Sequence, residues 1–406
     1  MIRWVHVNDR SANESQADAR LDHQGKARSL IIVCMPLLSV FLFISGSEIV
    51  LRLYHFFRWD IAFFDTKLTK LESLSPISLD PVLGWRATEG YQFVGKKRNL
   101  DGSEYAVNIS QDVNGFRMFG SLSSERDRVF VIGDSFTHAT DVSDDRTYYA
   151  IVAKSLDVEV FAYGSGGYGS LQEYMILDKY FDLVKPTVIL WQYSTNDFIN
   201  NSPDLESASS INNNGMVRPY WINGAVAYIL PKVRTKYIRL SALKYCRICY
   251  VVLNRVDRLL SAKSSKTVEI ETSIGKPAHV AFLDSLKTTD EIMGMVRRRA
   301  GLIPILAFLA GSGSPYGPEY EKGITDISRR HNITLFPDIE QAVLAAEERG
   351  AVVKAADGAH WNELGHRIVG QAIAESQRRT CLLKFCETAV TTRRPRMDSM
   401  EEAPKF

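Results

Sequence analysis

The hydrophobic and polar positions divide the chain into stretches of different texture. From Ser29 to Ser47 it reads SLIIVCMPLLSVFLFISGS, without one charged side chain. About 18 apolar residues in helical geometry cover roughly 27 Å, close to the hydrocarbon thickness of a bilayer. A transmembrane helix is expected there, and Pro36 does not exclude it, because membrane helices tolerate proline. Glu48–Tyr54 continues in helical style with aromatics at an interfacial position, so the anchor is drawn over residues 29–53. A cleaved signal peptide is the alternative, with Ser45-Gly46-Ser47 as small residues at the cut. The polar leader of residues 1–28 and the length of the apolar run favour a retained anchor. Arg10, Arg20, Lys26 and Arg28 precede the run, and Arg52, Arg58 and Lys67 follow it. That small bias puts the N-terminus inside, with residues 1–28 as a cytoplasmic tail.

Residues 54–127 form a juxtamembrane lead-in of short strands and turns, punctuated by Asp80-Pro81 and Asp101-Gly102. Asn114-Gly115 reads as a hairpin turn between Tyr105–Ile109 and Phe116–Met118. From residue 128 the rhythm changes. Short apolar runs at 129–132, 158–163, 187–193, 302–309 and 333–336 alternate with helical patterns near 145–155, 170–184, 279–299, 318–331 and 362–376. Strands of this kind, separated by helices, predict a parallel sheet covered on both faces, with right-handed crossovers. The domain so defined runs over 128–380, and residues 381–406 are a C-terminal tail. An insertion at about 199–278 interrupts the rhythm. Ser207–Gly215 is loop chemistry and Tyr237–Leu260 looks like one amphipathic helix. Whether the insertion is a lid over the site or a padded surface excursion stays open at this level.

Composition narrows the function. The 406 residues are 45% hydrophobic and carry 49 basic against 47 acidic side chains. A disordered or fibrous chain is excluded. A formal charge of +2 gives no basic surplus for a phosphate backbone, so no nucleic-acid partner is expected. Five cysteines are too few for a disulfide scaffold.

Ligands of open parallel sheets bind at the carboxyl ends of the strands. Gly133-Asp134-Ser135 follows the first strand, Gly164-Ser165-Gly166-Gly167-Tyr168-Gly169 the second, and Ser194-Thr195-Asn196-Asp197 the third. Asp357-Gly358-Ala359-His360 precedes the last helix. Together these are the parts of nucleophilic acyl transfer. Ser135 is the candidate nucleophile, His360 the base that takes its proton, and Asp357 the group that fixes the imidazole tautomer. The backbone N–H groups of Ser135 and Gly167 and the Asn196 amide are candidate oxyanion donors.

These blocks resemble the SGNH (GDSL-type) hydrolase family over roughly residues 128–378: VIGDSFT at 131–137, YGSGGYGSLQEY at 163–174, TND at 195–197 and DGAHWNELGH at 357–366. Gly84-Trp85-Arg86 and Asn114-Gly115-Phe116-Arg117 look like the lead-in of membrane-anchored bacterial members. The resemblance implies a three-layer α/β/α flavodoxin-like fold, ester hydrolysis, and no metal or cofactor. It places the nucleophile on Ser135, the oxyanion glycine and asparagine on Gly167 and Asn196, and the remaining pair on Asp357 and His360. Two features depart from it. Ser194 stands where many members have glycine, which a negative φ would accommodate, and the long insertion follows Asn196.

The expectation is a membrane-anchored serine esterase acting on O-acyl, chiefly O-acetyl, esters of a surface or cell-wall glycan or on small esters. Its bilayer contact is through residues 29–53 and its catalytic domain is extracytoplasmic. An O-acyltransferase with the same triad is one rival, and a non-catalytic carbohydrate-binding or assembly protein is another. The order Ser…Asp…His argues against the alginate-acetyltransferase type. Among the other candidates, His138 sits on the first helical turn after Ser135, and His366 is expected to pack or cap. Cys246 and Cys249 are expected to be structural thiols, with a disulfide open outside the cytoplasm. Cys381 and Cys386 give no signal, and Cys34 lies in the membrane segment.

Overall fold

A computed structural model describes residues 34–57, 75–209, 216–230, 246–261, 279–310 and 318–380. The predicted tails at 1–28 and 381–406, with Cys381 and Cys386, lie outside the described residues. So do the start of the anchor and parts of the insertion. The chain divides into two units, one of residues 1–67 with 242–258 and one of the remainder.

In the first unit, helix α1 (Cys34–Phe57) is long and apolar enough to cross a membrane by length and composition. Its side chains from Met35 to Phe43 stand exposed, as lipid-facing side chains do. The Glu48 carboxylate accepts the backbone N–H groups of Arg247 (3.1 Å) and Ile248 (2.8 Å). It thereby caps the helix Arg247–Ser261 with the negative charge that a helix N-terminus favours. Cys246 and Cys249 are joined as a disulfide at that first turn.

The second unit is built on a six-stranded sheet. Strands β1 (Ile77–Asp80) and β2 (Gly84–Ala87) pair antiparallel across the Asp80-Pro81 turn, with the Asp80 carboxylate accepting Val82 N and Leu83 N. Strands β3 (Gln92–Arg98) and β4 (Glu104–Ser110) form a second hairpin around Asp101-Gly102. The hairpin expected at Asn114-Gly115 does not form. Asp112 Oδ1 captures the N–H groups of Asn114 (2.8 Å) and Phe116 (2.7 Å) in a local turn, and Phe116 is buried among four aromatic rings. The chain leaves as β5 (Met118–Phe119), an antiparallel edge strand of the main sheet.

The five remaining sheet strands are parallel: β6 (Arg128–Gly133), β7 (Glu159–Gly164), β8 (Val188–Ser194), β11 (Ile305–Ala310) and β12 (Ile333–Leu335). Strands β9 (Arg218–Ile222) and β10 (Ala225–Ile229) make a hairpin within the insertion. The sheet order β12-β11-β8-β6-β7-β5 reads 2-1-3-4-5 for the parallel strands taken in sequence. That is the doubly wound order whose winding reverses between its first and third strands, and the crevice there is where such sheets bind ligands. The strand expected from residue 302 begins only at Ile305, since Gly301 turns the chain at φ +60° and Leu302 is wholly exposed.

Alternate side chains of each strand enter opposite cores, as the period of two demands. Phe130, Ile132, Phe161, Tyr163 and Trp191 face one core, against helices Ser170–Val184, Val280–Ala300 and Pro318–Arg330. Val129, Val131, Val160, Ala162 and Leu190 face the other, against Tyr148–Leu156, Asp338–Glu348 and Glu363–Thr380. The result is the three-layer α/β/α architecture. The helix Asp338–Glu348 carries no expectation from the sequence pattern. It starts at Pro337, with Asp338 and Glu340 in its first turn, and buries Ile339, Val343 and Ala346.

Candidate active site

Strand β6 delivers Ser135 at a sharp turn. Asp134, fully buried, caps the one-turn helix Ser135–His138 by accepting Phe136 N at 3.0 Å. The turn is held from beneath by Gln192, a polar residue in the middle of the apolar strand β8. Its Oε1 accepts Asp134 N (3.1 Å), Thr137 N (3.2 Å) and the Thr137 hydroxyl (2.9 Å). Strand β7 ends beside this turn at Gly164. A Cβ there would stand 2.5 Å from His138 N and 2.6 Å from Asp134 O, so only glycine admits the close approach.

The imidazole arrives from the loop before the last helix. Gly358 turns at φ +75°, and the Asp357 Oδ1 accepts Ala359 N and His360 N, each at 3.0 Å. The other carboxylate oxygen of Asp357 bonds His360 Nδ1, and His360 Nε2 lies 2.7 Å from Ser135 Oγ. With the ring proton on Nδ1 facing the carboxylate, Nε2 accepts the serine hydroxyl. Side chains 225 positions apart in sequence therefore meet. Phe136 packs on both His360 and Trp361, with centroids 5.2 and 4.5 Å away.

Partial burial works against ionisation of Asp357, but the His360 hydrogen bond and charge outweigh it and hold the carboxyl at about 2. Partial burial likewise disfavours the imidazolium, yet Asp357 overrides it, helped by the charges of Asp134 and Asp141, and His360 titrates above its ordinary value.

The loop carrying Gly167 lies between Ser135 and Asn196. Tyr168 N closes a turn on Ser165 O at 3.1 Å, with Gly167 at φ +75° inside it. Gly166 N donates to His138 Nδ1 at 3.2 Å, on the helix that Ser135 opens, and Asn196 Nδ2 donates to Tyr168 O at 3.2 Å. Ser194 has φ −135°, an extended conformation open to any side chain, so serine in place of glycine costs nothing there. Its hydroxyl lies against the Asn196 amide oxygen and 3.0 Å from Asp134 Oδ2, tying the amide to the cap of the helix Ser135–His138.

Behind Asn196 sits a buried carboxyl pair. Asp197 Oδ2 accepts Ser194 N at 2.6 Å, and Glu173 Oε2 accepts the Trp191 indole at 2.6 Å. Burial first, then the charge of Asp134 on Glu173 and the charges of Glu173 and Asp134 on Asp197, pushes both well above the ordinary carboxyl range. Raised pKa values favour the protonated form of such a pair, since burying a carboxylate charge is costly.

The structure thus brings together Ser135, Asp357 and His360, and sets Gly167 and Asn196 on adjoining loops. His138 is buried and buttresses the Gly166 amide, its other ring nitrogen 2.6 Å from Gln111. His366 packs and caps as expected. It stacks on Tyr148 and accepts Tyr148 N at 3.2 Å, and burial drives its pKa to about 3. Donor atoms of Asp141, Asp357 and His360 cluster within 4.8 Å. Those of His360 are engaged by Ser135 and Asp357, and Asp141 pairs with Lys97 at 3.0 Å, so the cluster is an internal network. The sequence pattern assigns no site role to Gln192 or Arg218, and Trp85 stands there only as part of the lead-in resemblance. Gln192 was legible as an amide inside a fully buried strand.

A doubly wound α/β protein with serine, histidine and aspartate hydrogen-bonded in line at its strand ends is the class that fold and site define. No known family model and no curated protein matches the chain. Solved structures similar to it include a lipase/acylhydrolase from Enterococcus faecalis at 13% identity and TM-score 0.36, covering 63% of this chain and 96% of that one. The acetyl xylan esterase Est2A from the rumen bacterium Butyrivibrio proteoclasticus is 11% identical, with TM-score 0.34, covering 69% and 68%. The salicylyl-acyltransferase SsfX3 from a tetracycline biosynthetic pathway is 14% identical, with TM-score 0.38, covering 64% and 57%.

Proposed function

We propose that the protein is a membrane-anchored serine esterase of the SGNH type that hydrolyses O-acyl, chiefly O-acetyl, esters of a surface or cell-wall glycan. The observation that carries this reading is the line Ser135 Oγ–His360 Nε2, 2.7 Å, continued from His360 Nδ1 to Asp357. A serine hydroxyl is too weakly acidic to attack unaided, and a neutral imidazole at that distance takes its proton as the new C–O bond forms. The carbonyl electrons move onto oxygen, where the N–H groups of Ser135 and Gly167 and the Asn196 amide serve as donors. Collapse expels the sugar alkoxide, which takes the proton back from His360 and leaves the acyl group on Ser135. Water, deprotonated by the same imidazole, releases it as carboxylate. Asp357 stays ionised throughout, as its depressed pKa allows.

Helix α1 supports the anchor. The Cys246–Cys249 disulfide supports an extracytoplasmic catalytic domain, because disulfides persist in oxidising compartments. The glycan substrate rests on the resemblance of the segments around Trp85 and Gly115 to anchored bacterial members.

Incubation with a fluorophosphonate, followed by mapping of the labelled residue, tests the reading. Label on Ser135, with acetate released from an acetylated glycan, is the expected result. Ser135→Ala should lose on the order of 10⁴-fold or more in turnover of p-nitrophenyl acetate while staying folded. Label elsewhere, or undiminished turnover in the variant, removes Ser135 as nucleophile. Acetyl transfer to an added sugar in preference to water would make the enzyme a transferase.

A further inference from the structure

We infer that Trp85, in the lead-in before the sheet domain, is a positioning residue for the oxyanion site. Its indole N–H fixes the peptide plane that presents the Gly167 N–H to the substrate. The inference rests on the esterase reading above and deepens it.

Trp85 lies on β2 with no exposed surface, and its Nε1 donates to the carbonyl oxygen of Gly166 at 3.0 Å. That oxygen and the Gly167 N–H belong to one peptide unit. No cis peptide occurs among the described residues, so the two point in opposite directions from the plane. Holding the oxygen therefore aims the N–H. The same hydrogen bond draws electron density toward the carbonyl and makes the amide proton a better donor.

The next peptide is fixed in the same way, by another segment outside the four motif blocks. Arg218, on β9 of the insertion, donates to Gly167 O at 2.7 Å. The arginine is 1% exposed, is paired with Glu206 at 2.7 Å, and lies over the Trp85 ring at 4.7 Å, so it fixes the indole too. The Tyr168 hydroxyl completes the clasp by donating to Trp85 O at 3.0 Å. Both carbonyls flanking the left-handed Gly167 are thus held, and a glycine that could rotate freely is restrained to one orientation. Packing alone would need the ring of Trp85 but not its N–H.

The experiment compares full-length wild type with Trp85→Phe and with Trp85 replaced by its benzothienyl isostere, in which sulfur takes the place of the ring N–H at nearly unchanged volume. The readouts are kcat and KM for p-nitrophenyl acetate and the affinity of a trifluoromethyl ketone, whose serine-bound hemiketal places an oxyanion in the site. Loss of one neutral hydrogen bond predicts a fall in kcat of about 5-fold or more, with KM little changed. Ketone affinity should fall by the same factor. If the folded isostere keeps wild-type kcat and ketone affinity, or changes KM alone, the inference is overturned. Ser135→Ala, run alongside, reads the parent proposal separately. Turnover surviving there refutes the nucleophile and this inference with it. Turnover lost there but intact in the isostere refutes only the role of Trp85.

Discussion

Neutralising Asp141 should retune the base without touching the acyl-transfer groups. Its carboxylate lies within 4.8 Å of the ligand atoms of His360 and Asp357, and it favours the imidazolium. At that separation a unit pair is worth about 0.9 kcal/mol in bulk water and about 3.5 kcal/mol at the effective dielectric of a protein surface. Lys97, 3.0 Å from Asp141, cancels part of the field, and side-chain exposures of 24% for Asp141 and 32% for His360 admit solvent screening. The net effect therefore falls near the lower figure, about 1 kcal/mol, or roughly 5-fold in the protonation equilibrium of His360. The sign follows from the direction of the shift. Asp141 helps hold His360 above its ordinary value, so Asp141→Asn lets the imidazole lose its proton at lower pH. The ascending limb of kcat/KM for p-nitrophenyl acetate, followed across about pH 5–9, should move to lower pH while its plateau holds. A limb that stays in place or moves upward would refute the electrostatic account of His360.

Asn196→Ala should lower kcat by roughly 10²–10³-fold with little change in KM if its amide meets the oxyanion. A KM effect alone would reassign it to ground-state binding. Glu173→Gln should change the pH dependence of stability. Folding raises the Glu173 carboxyl above its ordinary 4.5, so the folded chain binds the extra proton and wild-type stability falls as pH rises above that value. The variant, with nothing to lose at that position, should gain on wild type in urea unfolding between about pH 5 and 8. Parallel curves would show that the pair holds no such proton.

The sheet was legible because the parallel strands β6, β7, β8 and β11 are buried on both faces and read as apolar runs ending at a small residue. Ser135 and Asn196 were legible because doubly wound sheets gather their strand-end residues at one rim, and Asp357 and His360 because their Asp-x-x-His spacing stands just before the last helix. The lead-in was harder. Asn114-Gly115 has hairpin composition, but the Asp112 carboxylate and burial of Phe116 decide its shape, and neither contact is local enough to be seen as a pattern. Trp85 and Arg218 escaped for a related reason. Each looks like a filler or a surface cation until the fold sets it against the Gly166 and Gly167 carbonyls. Ser194 was read as a departure whose cost depended on φ, and its extended backbone settles that.

The loop with His360 is fastened from both sides, by Asn362 to Asn99 at 2.8 Å and by the imidazole of His366 to the start of Tyr148–Leu156. This has a consequence for biosynthesis. A chain made N-terminus first presents its serine turn long before its last helix exists to dock. Until then Ser135 lacks its imidazole partner, and on the proposed mechanism a nascent or truncated polypeptide would not turn over esters. Onset of turnover would therefore report completion of the fold.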